Sequence, residues 1–188
     1  PIASGSALTN LNATNLGSGT VATARLGSGT ADATTFLRGD QTYAAAGGAN
    51  TPSFYATRTG GNQSMSDNTW TKAQINSELY DTNNAYDTSN YRFTPQTAGK
   101  YYIFSSATIS DGGLQYESNL RLYKNGSAIQ EQQYTYVPSQ LLSTQFIALI
   151  CDMNGSSDYV EAYMKGDSNG STPVIANGSS FGAYKIII

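Results

Sequence analysis

Carboxylates are the side chains of this sequence best suited to catalysis, and their chemistry would be the cleavage of a glycosidic bond. Such cleavage needs two carboxyl groups held about 5–10 Å apart, a pair that Asp111, Glu117, Asp158 and Glu161 could supply. The chain has no histidine and a single cysteine, Cys151, so Ser-His-Asp and Cys-His catalysis are excluded. Surface carboxylates usually serve as solvating charges, and no motif surrounds these four, so we predict that the protein is not an enzyme.

A metal site in this chain would have to be built from oxygen ligands. Zinc is implausible without histidine and with only one cysteine. The turn at Asp167, Ser168, Asn169 and Gly170 is rich in the oxygen ligands that calcium takes, although no EF-hand spacing is present. We therefore predict no cofactor, and calcium at this turn is the weaker alternative.

Composition restricts both the fold and the partners. Of the 188 residues, 39% are hydrophobic, 12% are charged and 14 are tyrosines, which favours an all-β fold. The net charge is −3, and without a basic cluster nucleic acid is not an expected partner. No run approaches the roughly 20 apolar residues that span a bilayer, so we predict no membrane insertion.

Residues 1–50 form a separate compositional zone dominated by small and polar residues. LGSGT occurs at Leu16–Thr20 and again at Leu26–Thr30, and such a segment cannot build a core of its own. A flexible linker is one interpretation. The other, a β-rich shaft whose repeats are buried against further copies of the chain, is favoured by five spaced apolar residues: Leu8, Leu11, Leu16, Val21 and Leu26. Because the chain begins PIASGS, without an initiator methionine or signal peptide, we expect a longer polypeptide upstream.

The zone closes with FLRGDQTYAAAGG at residues 36–48. This segment resembles a motif of phage tail fibres, with Tyr43 at the place where that motif has tryptophan. Arg38-Gly39-Asp40 also matches the integrin-binding tripeptide, but matches of three residues are common by chance, and we set that interpretation aside. Glycines at 47 and 48 and Pro52 mark a boundary, so we predict a shaft and linker at 1–50 and a head domain at 51–188.

The head domain reads as a series of strands joined by turns. Alternating apolar residues predict strands near 53–59, 91–93, 101–104, 120–123, 145–153, 159–164 and 180–188. Asn125-Gly126 and Asn154-Gly155 are turn signals, the first typical of a type I′ hairpin. The segment from Trp70 to Tyr80 has few aliphatic residues, so we interpret it as strand and connection rather than helix.

One spacing in this domain matches a known family. Phe93, Gly99 and Tyr101 reproduce a pattern of Phe, five residues, Gly, one residue and an aromatic, which resembles the C1q/TNF-like domain in its phage-fibre form. The SDYV run at 157–160 is similar to the family's Gly-Asp-x-Val except for the glycine, and residues 180–188 resemble its last strand. The resemblance covers about 53–188, and it makes Tyr91–Phe104 a central pair of strands.

The resemblance implies an all-β jelly-roll sandwich that assembles as a homotrimer, with both chain ends at one end of the domain. A strand at 145–153 that is apolar on both faces agrees with this, because its second face needs a neighbouring subunit. We therefore predict a trimer interface containing Tyr101, Ile103, Phe146, Ile147, Leu149, Tyr184 and Ile186.

The same resemblance indicates which loops face outward. Successive connections alternate between the two ends, which puts both Asn-Gly turns beside the chain ends and the connections at 111–117, 137–140 and 165–180 at the opposite end. These connections are rich in Tyr, Ser, Gly and Asn, a composition similar to antibody paratopes. The candidate receptor-binding residues are Asp111, Tyr116, Tyr136, Asp167 and Asn169.

These observations favour the receptor-binding tip of a bacteriophage tail fibre, a virion appendage that recognises a host cell-surface glycan or protein. Its N-terminal side would join other tail or capsid proteins. One alternative is a structural head-fibre, capsid-decoration or trimerisation domain of a viral particle, and a less favoured one is a polysaccharide depolymerase.

Overall fold

The structure is a computed structural model that describes residues 22, 25–45, 50–110, 117–135, 142–168 and 170–186. The chain divides into two compact units, Pro1–Gly48 and Ala49–Ile188. The first LGSGT repeat and four of the five spaced apolar residues of the predicted shaft lie outside the described residues.

The described part of the first unit is a short hairpin. Strand β1 (Thr35–Leu37) pairs antiparallel with β2 (Tyr43–Ala45). In the turn between them, the Oδ1 atom of Asp40 accepts hydrogen bonds from the backbone N (3.1 Å) and the Oγ1 (2.6 Å) of Thr42. The carboxylate of the RGD tripeptide is therefore engaged within its own turn.

The second unit is a sandwich of two antiparallel sheets. Its strands are β3 (Ser53–Thr57), β4 (Gln63–Ser64), β5 (Thr71–Lys72), β6 (Ser77–Asp81), β7 (Tyr86–Asp87), β8 (Arg92–Phe93), β9 (Gly99–Ser110), β10 (Glu117–Lys124), β11 (Ser127–Thr135), β12 (Leu142–Met153), β13 (Val160–Asp167), β14 (Val174–Ile175) and β15 (Ser180–Lys185). The six-stranded sheet has the order β11-β10-β13-β8-β7, with β5 also paired to β13. The seven-stranded sheet has the order β4-β14-β9-β15-β3-β6, with β12 paired to β9. The described residues contain no α-helix, and the predicted all-β sandwich is confirmed.

Stacked aromatic rings join the two sheets. Phe54 of the seven-stranded sheet stacks on Tyr86 and Phe93 of the other sheet, with ring centroids 4.4 and 4.9 Å apart. Phe181 meets Phe54 edge-on at 5.1 Å. These four side chains are almost fully buried, so the interior side chains of both sheets interdigitate here, as in other aligned sandwiches.

The expectation that Tyr91–Phe104 forms one strand pair is wrong. Tyr91 lies in a turn at φ 54°, β8 belongs to the six-stranded sheet, and β9 is central in the seven-stranded sheet. The residues between Phe93 and Gly99 carry the chain from one sheet to the other. Phe93 and Tyr101 therefore meet across the core, edge-on at 5.5 Å, rather than as strand neighbours.

Strand register separates two ends of the domain. At one end, which we call the base, β9 begins at Gly99 opposite Met153, and Lys124 of the other sheet donates to the carbonyl of Asp152 at 2.7 Å. At the opposite end, which we call the far end, β9 finishes at Ser110 opposite Leu142.

Both Asn-Gly turns lie at the end expected from the sequence, whereas residues 111–116 and 137–140 of the predicted far-end connections lie outside the described residues. The Asn125-Gly126 turn lies at the base, with both residues at positive φ (51° and 78°), as a type I′ turn requires. The Asn154-Gly155 turn also lies at the base, since it follows the last residue of β12. Strand β3 begins opposite Tyr184, near the end of β15, so the first strand of the unit begins at the base and the last one ends there. Strand β13 runs from Val160, opposite Lys124, to Asp167 at the far end.

Candidate functional site

The outward surface of the seven-stranded sheet carries a continuous set of aromatic and aliphatic side chains. Ile150 lies opposite Tyr102, which lies opposite Tyr184. The next row toward the far end contains Phe104 opposite Gly182. We call this surface the aromatic face; it consists of Tyr55, Tyr102, Phe104, Phe146, Ile150 and Tyr184.

The rings of the aromatic face pack against one another on the surface. Tyr102 lies 5.4 Å from Tyr184 and 5.8 Å from Phe104, and Tyr55 lies 6.1 Å from Phe104. On β12, Phe146 and Ile150 are 55% and 62% exposed. Monomeric proteins seldom expose contiguous apolar surface of this kind unless it is an interaction site.

The outward surface of the six-stranded sheet is different, because its aromatic and charged groups satisfy one another. The Arg121 guanidinium lies 4.0 Å from the ring centroid of Trp70 and pairs with Glu131. Lys165 pairs with Glu117 at 3.5 Å. Cation–π contacts and ion pairs thus cover this sheet with charge, which makes the aromatic face the stronger candidate for assembly.

A buried carboxylate stabilises the middle of the six-stranded sheet. The Glu161 side chain is 4% exposed, and its Oε1 atom lies 2.8 Å from both Lys72 and Arg92. The Arg92 guanidinium also stacks 3.6 Å from the ring centroid of Tyr159. Glu161 joins strands β5, β8 and β13, which gives it a clear structural role.

The structure corrects three of the predicted trimer-interface residues. Tyr101 and Ile103 are 0% exposed and Ile147 is 4% exposed within the single chain, so they belong to the core and are not available to a partner. Leu149 also packs against the core. The reason is strand alternation, since odd-numbered residues of β9 and β12 point inward.

The other predicted interface residues have outward or partly buried positions. Phe146 and Tyr184 lie on the aromatic face, 55% and 37% exposed. Ile186 is half-buried, and its backbone N donates to the carbonyl of Lys100 at 2.8 Å. The sequence analysis does not assign Tyr55, Tyr102, Phe104 or Ile150 to the interface. The last three are even-numbered residues of β9 and β12, and this alternation could have identified them as one surface.

Four of the five candidate receptor-binding residues, Asp111, Tyr116, Tyr136 and Asn169, lie outside the described residues. Asp167 is the last residue of β13 and lies opposite Glu117, at the far end as predicted. A residue that sequence reasoning missed, Asp67, binds the connection that follows: its carboxylate accepts hydrogen bonds from the backbone of Ser168 and Gly170, at 2.7 and 2.8 Å.

The candidate catalytic carboxylates within the described residues are all paired with cations, in the pairs Glu117–Lys165, Asp158–Lys124, Glu161–Lys72 and Glu161–Arg92. Hydrogen bonds from Asn119 lower the pKa of Glu117, and hydrogen bonds from Lys124 lower that of Asp158. A general acid for glycoside cleavage needs a raised pKa, so these two groups are poorly suited to that role. Asp111 lies outside the described residues.

The described residues contain no group of three or more His, Cys, Asp and Glu side chains arranged to hold a metal ion. At the turn considered for calcium, the amides of Ser168 and Gly170 point at the Asp67 carboxylate. Among the same described residues, no helix has the length and apolarity to cross a membrane.

Comparison with known proteins identifies the fold. No family model matches the sequence, and no curated protein matches it. Solved structures do match: Eiger TNF from S. frugiperda has a TM-score of 0.52 at 10% identity, over 71% of this chain and 91% of that chain. Murine APRIL at pH 5.0 has a TM-score of 0.55 at 11% identity, over 71% and 98% of the two chains. The chain therefore contains a TNF-like jelly roll, as the sequence resemblance implied.

Proposed function

We propose that this TNF-like jelly roll is the receptor-binding tip of a virion appendage, a bacteriophage tail fibre, that assembles as a homotrimer and recognises a host cell-surface glycan or protein. The observation that carries this proposal has two parts: the aromatic face is exposed, and the far end lies opposite the end of the domain where β3 begins and β15 finishes. The first feature suits self-assembly, and the second suits presentation of loops to a target.

The proposed occupant of the aromatic face is a second copy of this chain. Ile150 and Phe146 offer exposed apolar area without charge, whereas the outer surface of the six-stranded sheet is covered by ion pairs. Three copies related by a closed three-fold axis would cover the face in each subunit and leave no open edge for further growth. The C1q/TNF-like resemblance supports this number of copies.

The orientation of the strands supports attachment of the domain to the particle through its base. The start of β3 and the end of β15 lie there, so attachment on the N-terminal side of this domain would direct its far end away from the particle. Loops on a rigid sheet scaffold commonly carry binding residues. Three far ends acting together can raise apparent affinity by about 10²–10⁴ without any new contact.

The phage assignment rests on the first unit. The FLRGD segment forms a hairpin turn in which Asp40 bonds to Thr42, and Phe36 and Leu37 are 47% and 41% exposed on its strand. Exposed apolar side chains on so small a unit suit burial against other copies, as a shaft requires. A structural role of Asp40 within its own turn also explains this residue better than an integrin-binding site would, because its carboxylate is bonded to Thr42.

The test is adsorption of the full 188-residue chain, labelled with a fluorophore, to a panel of intact bacteria, with its mass in solution measured by light scattering. We expect a trimer that saturates on some strains and is displaced by excess unlabelled chain. Failure to adsorb to any strain, with binding to purified phage capsids instead, would overturn receptor binding in favour of capsid decoration. Release of soluble saccharide fragments from the bound cells would indicate a depolymerase, and a monomer at micromolar concentration would contradict the assembly.

A further inference from the structure

Asp67 connects two segments of the far end that are far apart in sequence. It lies between β4 and β5, and its two carboxylate oxygens accept three hydrogen bonds from the connection that follows β13. Oδ1 accepts from the backbone N (2.7 Å) and the Oγ (3.0 Å) of Ser168, and Oδ2 accepts from the backbone N of Gly170 (2.8 Å). One half-buried side chain thus binds the backbone amides of both Ser168 and Gly170.

Backbone hydrogen bonds fasten the same two segments at neighbouring points. The N of Asn68 donates to the carbonyl of Gly166 at 2.7 Å, and the N of Met65 donates to the carbonyl of Pro173 at 2.8 Å. The segment around Asp67 is therefore fixed to both sides of the 168–171 connection. This anchoring makes the Asp67 carboxylate a stationary acceptor rather than a mobile surface charge.

The connection has weaker support of its own. Its internal backbone hydrogen bond, from the N of Ser171 to the carbonyl of Ser168, is long at 3.3 Å. The single hydroxyl hydrogen of Ser168 is shared between the Asp67 carboxylate at 3.0 Å and the Ser171 carbonyl at 3.1 Å. Ser168 is 2% exposed, so its amide would lose a partner that water cannot easily replace. The hydrogen bonds from Ser168 and Gly170 lower the pKa of Asp67, and the carboxylate is ionised and purely an acceptor at neutral pH.

We propose that Asp67 is the positioning residue for Ser168 and Gly170 at the far end, and that recognition of a target at these two residues depends on it. The inference rests on the proposed function, since it assigns a role within the same binding end. A connection ordered before binding loses less conformational entropy when the target is engaged. A charge-assisted bond to two amides is an effective way to provide that order.

The experiment compares the full chain with two variants, Asp67→Ala and Asp67→Asn, and with the control Asp158→Asn. Asp158 is also a partly buried carboxylate that accepts a backbone amide, from Asn154 at 2.9 Å, but it lies at the base. Circular dichroism confirms folding of each variant, and the Asn variant keeps the shape of the side chain. Amide hydrogen exchange at Ser168 and Gly170 then reports on the connection without any use of a target.

We expect exchange at Ser168 and Gly170 to be about tenfold faster or more in Asp67→Ala, with a smaller change in Asp67→Asn and none in Asp158→Asn. Adsorption to the bacterial strain that binds the wild-type chain should weaken about tenfold in Asp67→Ala and stay unchanged in Asp158→Asn.

Two results would overturn the positioning role while leaving the proposed function in place. The first is unchanged exchange in Asp67→Ala, and the second is faster exchange with undiminished adsorption. A wild-type chain that adsorbs to no strain would instead overturn the proposed function, and this inference with it.

Discussion

The ring of Phe104 lies directly over Gly182 on the neighbouring strand of the seven-stranded sheet. A Cβ atom at position 182 would stand 2.5 Å from Cζ of that ring and 3.0 Å from both Cε atoms. The absence of a side chain on β15 thus allows Phe104 to lie flat across the sheet, between Tyr102 and Tyr55. The backbone of β15 does not itself need a glycine at position 182, but the flat orientation of the Phe104 ring does.

Replacement of Gly182 by alanine is therefore expected to weaken self-association more than folding. The clashing atoms belong to the end of a partly exposed side chain, so the Phe104 ring can swing outward while the sheet stays intact. Sedimentation velocity should show dissociation of the proposed trimer at protein concentrations where the wild-type chain still self-associates. The melting temperature of the separated subunit should stay close to that of a wild-type monomer. Gly39→Ala is the control, because a Cβ at Gly39 meets nothing within 4 Å. An unaltered trimer in Gly182→Ala would contradict this role.

The exposed apolar residues of β12 give a second test of the aromatic face. Phe146 and Ile150 are 55% and 62% exposed, so burial of the remaining surface of each in an interface is worth about 1–2 kcal/mol, roughly half of the value for a fully exposed side chain. The double variant Phe146→Ser and Ile150→Ser should be a folded monomer by light scattering. Ile129→Ser, on β11 of the other sheet and 37% exposed, should remain a trimer. Assembly that survives the double variant would show that another surface holds the subunits together.

The sequence alone could predict the fold, but it could not predict which alternate residues of each strand face the core. Strands β9 and β12 have apolar residues on both faces, so alternation identifies two surfaces without showing which one is inward. The sequence analysis predicts Tyr101 and Ile103 at an interface, whereas they are fully buried and their even-numbered neighbours Tyr102 and Phe104 form the outer surface. The inward set is decided by contact with the opposite sheet, as in the 5.5 Å contact of Tyr101 with Phe93, and such long-range contacts leave no local pattern.

For the far end, the sequence could predict the position of the connections but not the side chain that binds them. The resemblance and the alternation of successive connections predict the end at which each Asn-Gly turn lies, and the structure places Asn125-Gly126 and Asn154-Gly155 there. The role of Asp67 could not be predicted, since its hydrogen-bond partners are more than 100 residues away in the chain. The two-residue strands, such as β7 and β8, are likewise defined by their partners rather than by their own composition.

The hydroxyl of Tyr86 should contribute measurably to stability. It donates to the carbonyl of Ile75 at 2.7 Å in a buried position, and burial raises the pKa of the phenol well above its ordinary value. Tyr86→Phe keeps the stacking on Phe54 but leaves the carbonyl without this donor, so the free energy of unfolding should fall by about 1–3 kcal/mol. Urea denaturation measures this loss, and Tyr80→Phe, whose ring is 51% exposed, should change it little. Equal stabilities of Tyr86→Phe and wild type would refute the assignment.

Removal of the buried carboxylate of Glu161 should destabilise the six-stranded sheet through its two cations. Lys72 and Arg92 both lie 2.8 Å from the same oxygen, and without it they would repel each other. Because the two cations are about one-third exposed, with side chains at 29% and 35%, we expect a loss of about 1–3 kcal/mol in Glu161→Gln, less than for a fully buried pair. Glu131→Gln, which breaks a more exposed pair with Arg121, should cost under about 1 kcal/mol. A larger loss in the control than in Glu161→Gln would reverse this ranking.

The pairing of Asp158 with Lys124 at the base predicts how one contribution to stability changes with pH. Hydrogen bonds from Lys124 and Asn125 lower the pKa of Asp158 from its ordinary value of 3.8, so between the two pKa values the unfolded chain binds more protons than the folded one. The stability that this carboxylate contributes is therefore complete above pH 3.8 and is lost as the pH falls through the lower, folded-state pKa. The difference in free energy of unfolding between wild type and Asp158→Asn should be constant near neutral pH and shrink in acid, because other groups titrate alike in both proteins. A carboxyl titration by NMR that places Asp158 at or above 3.8, or a difference that grows in acid, would show that the ion pair does not act in this way.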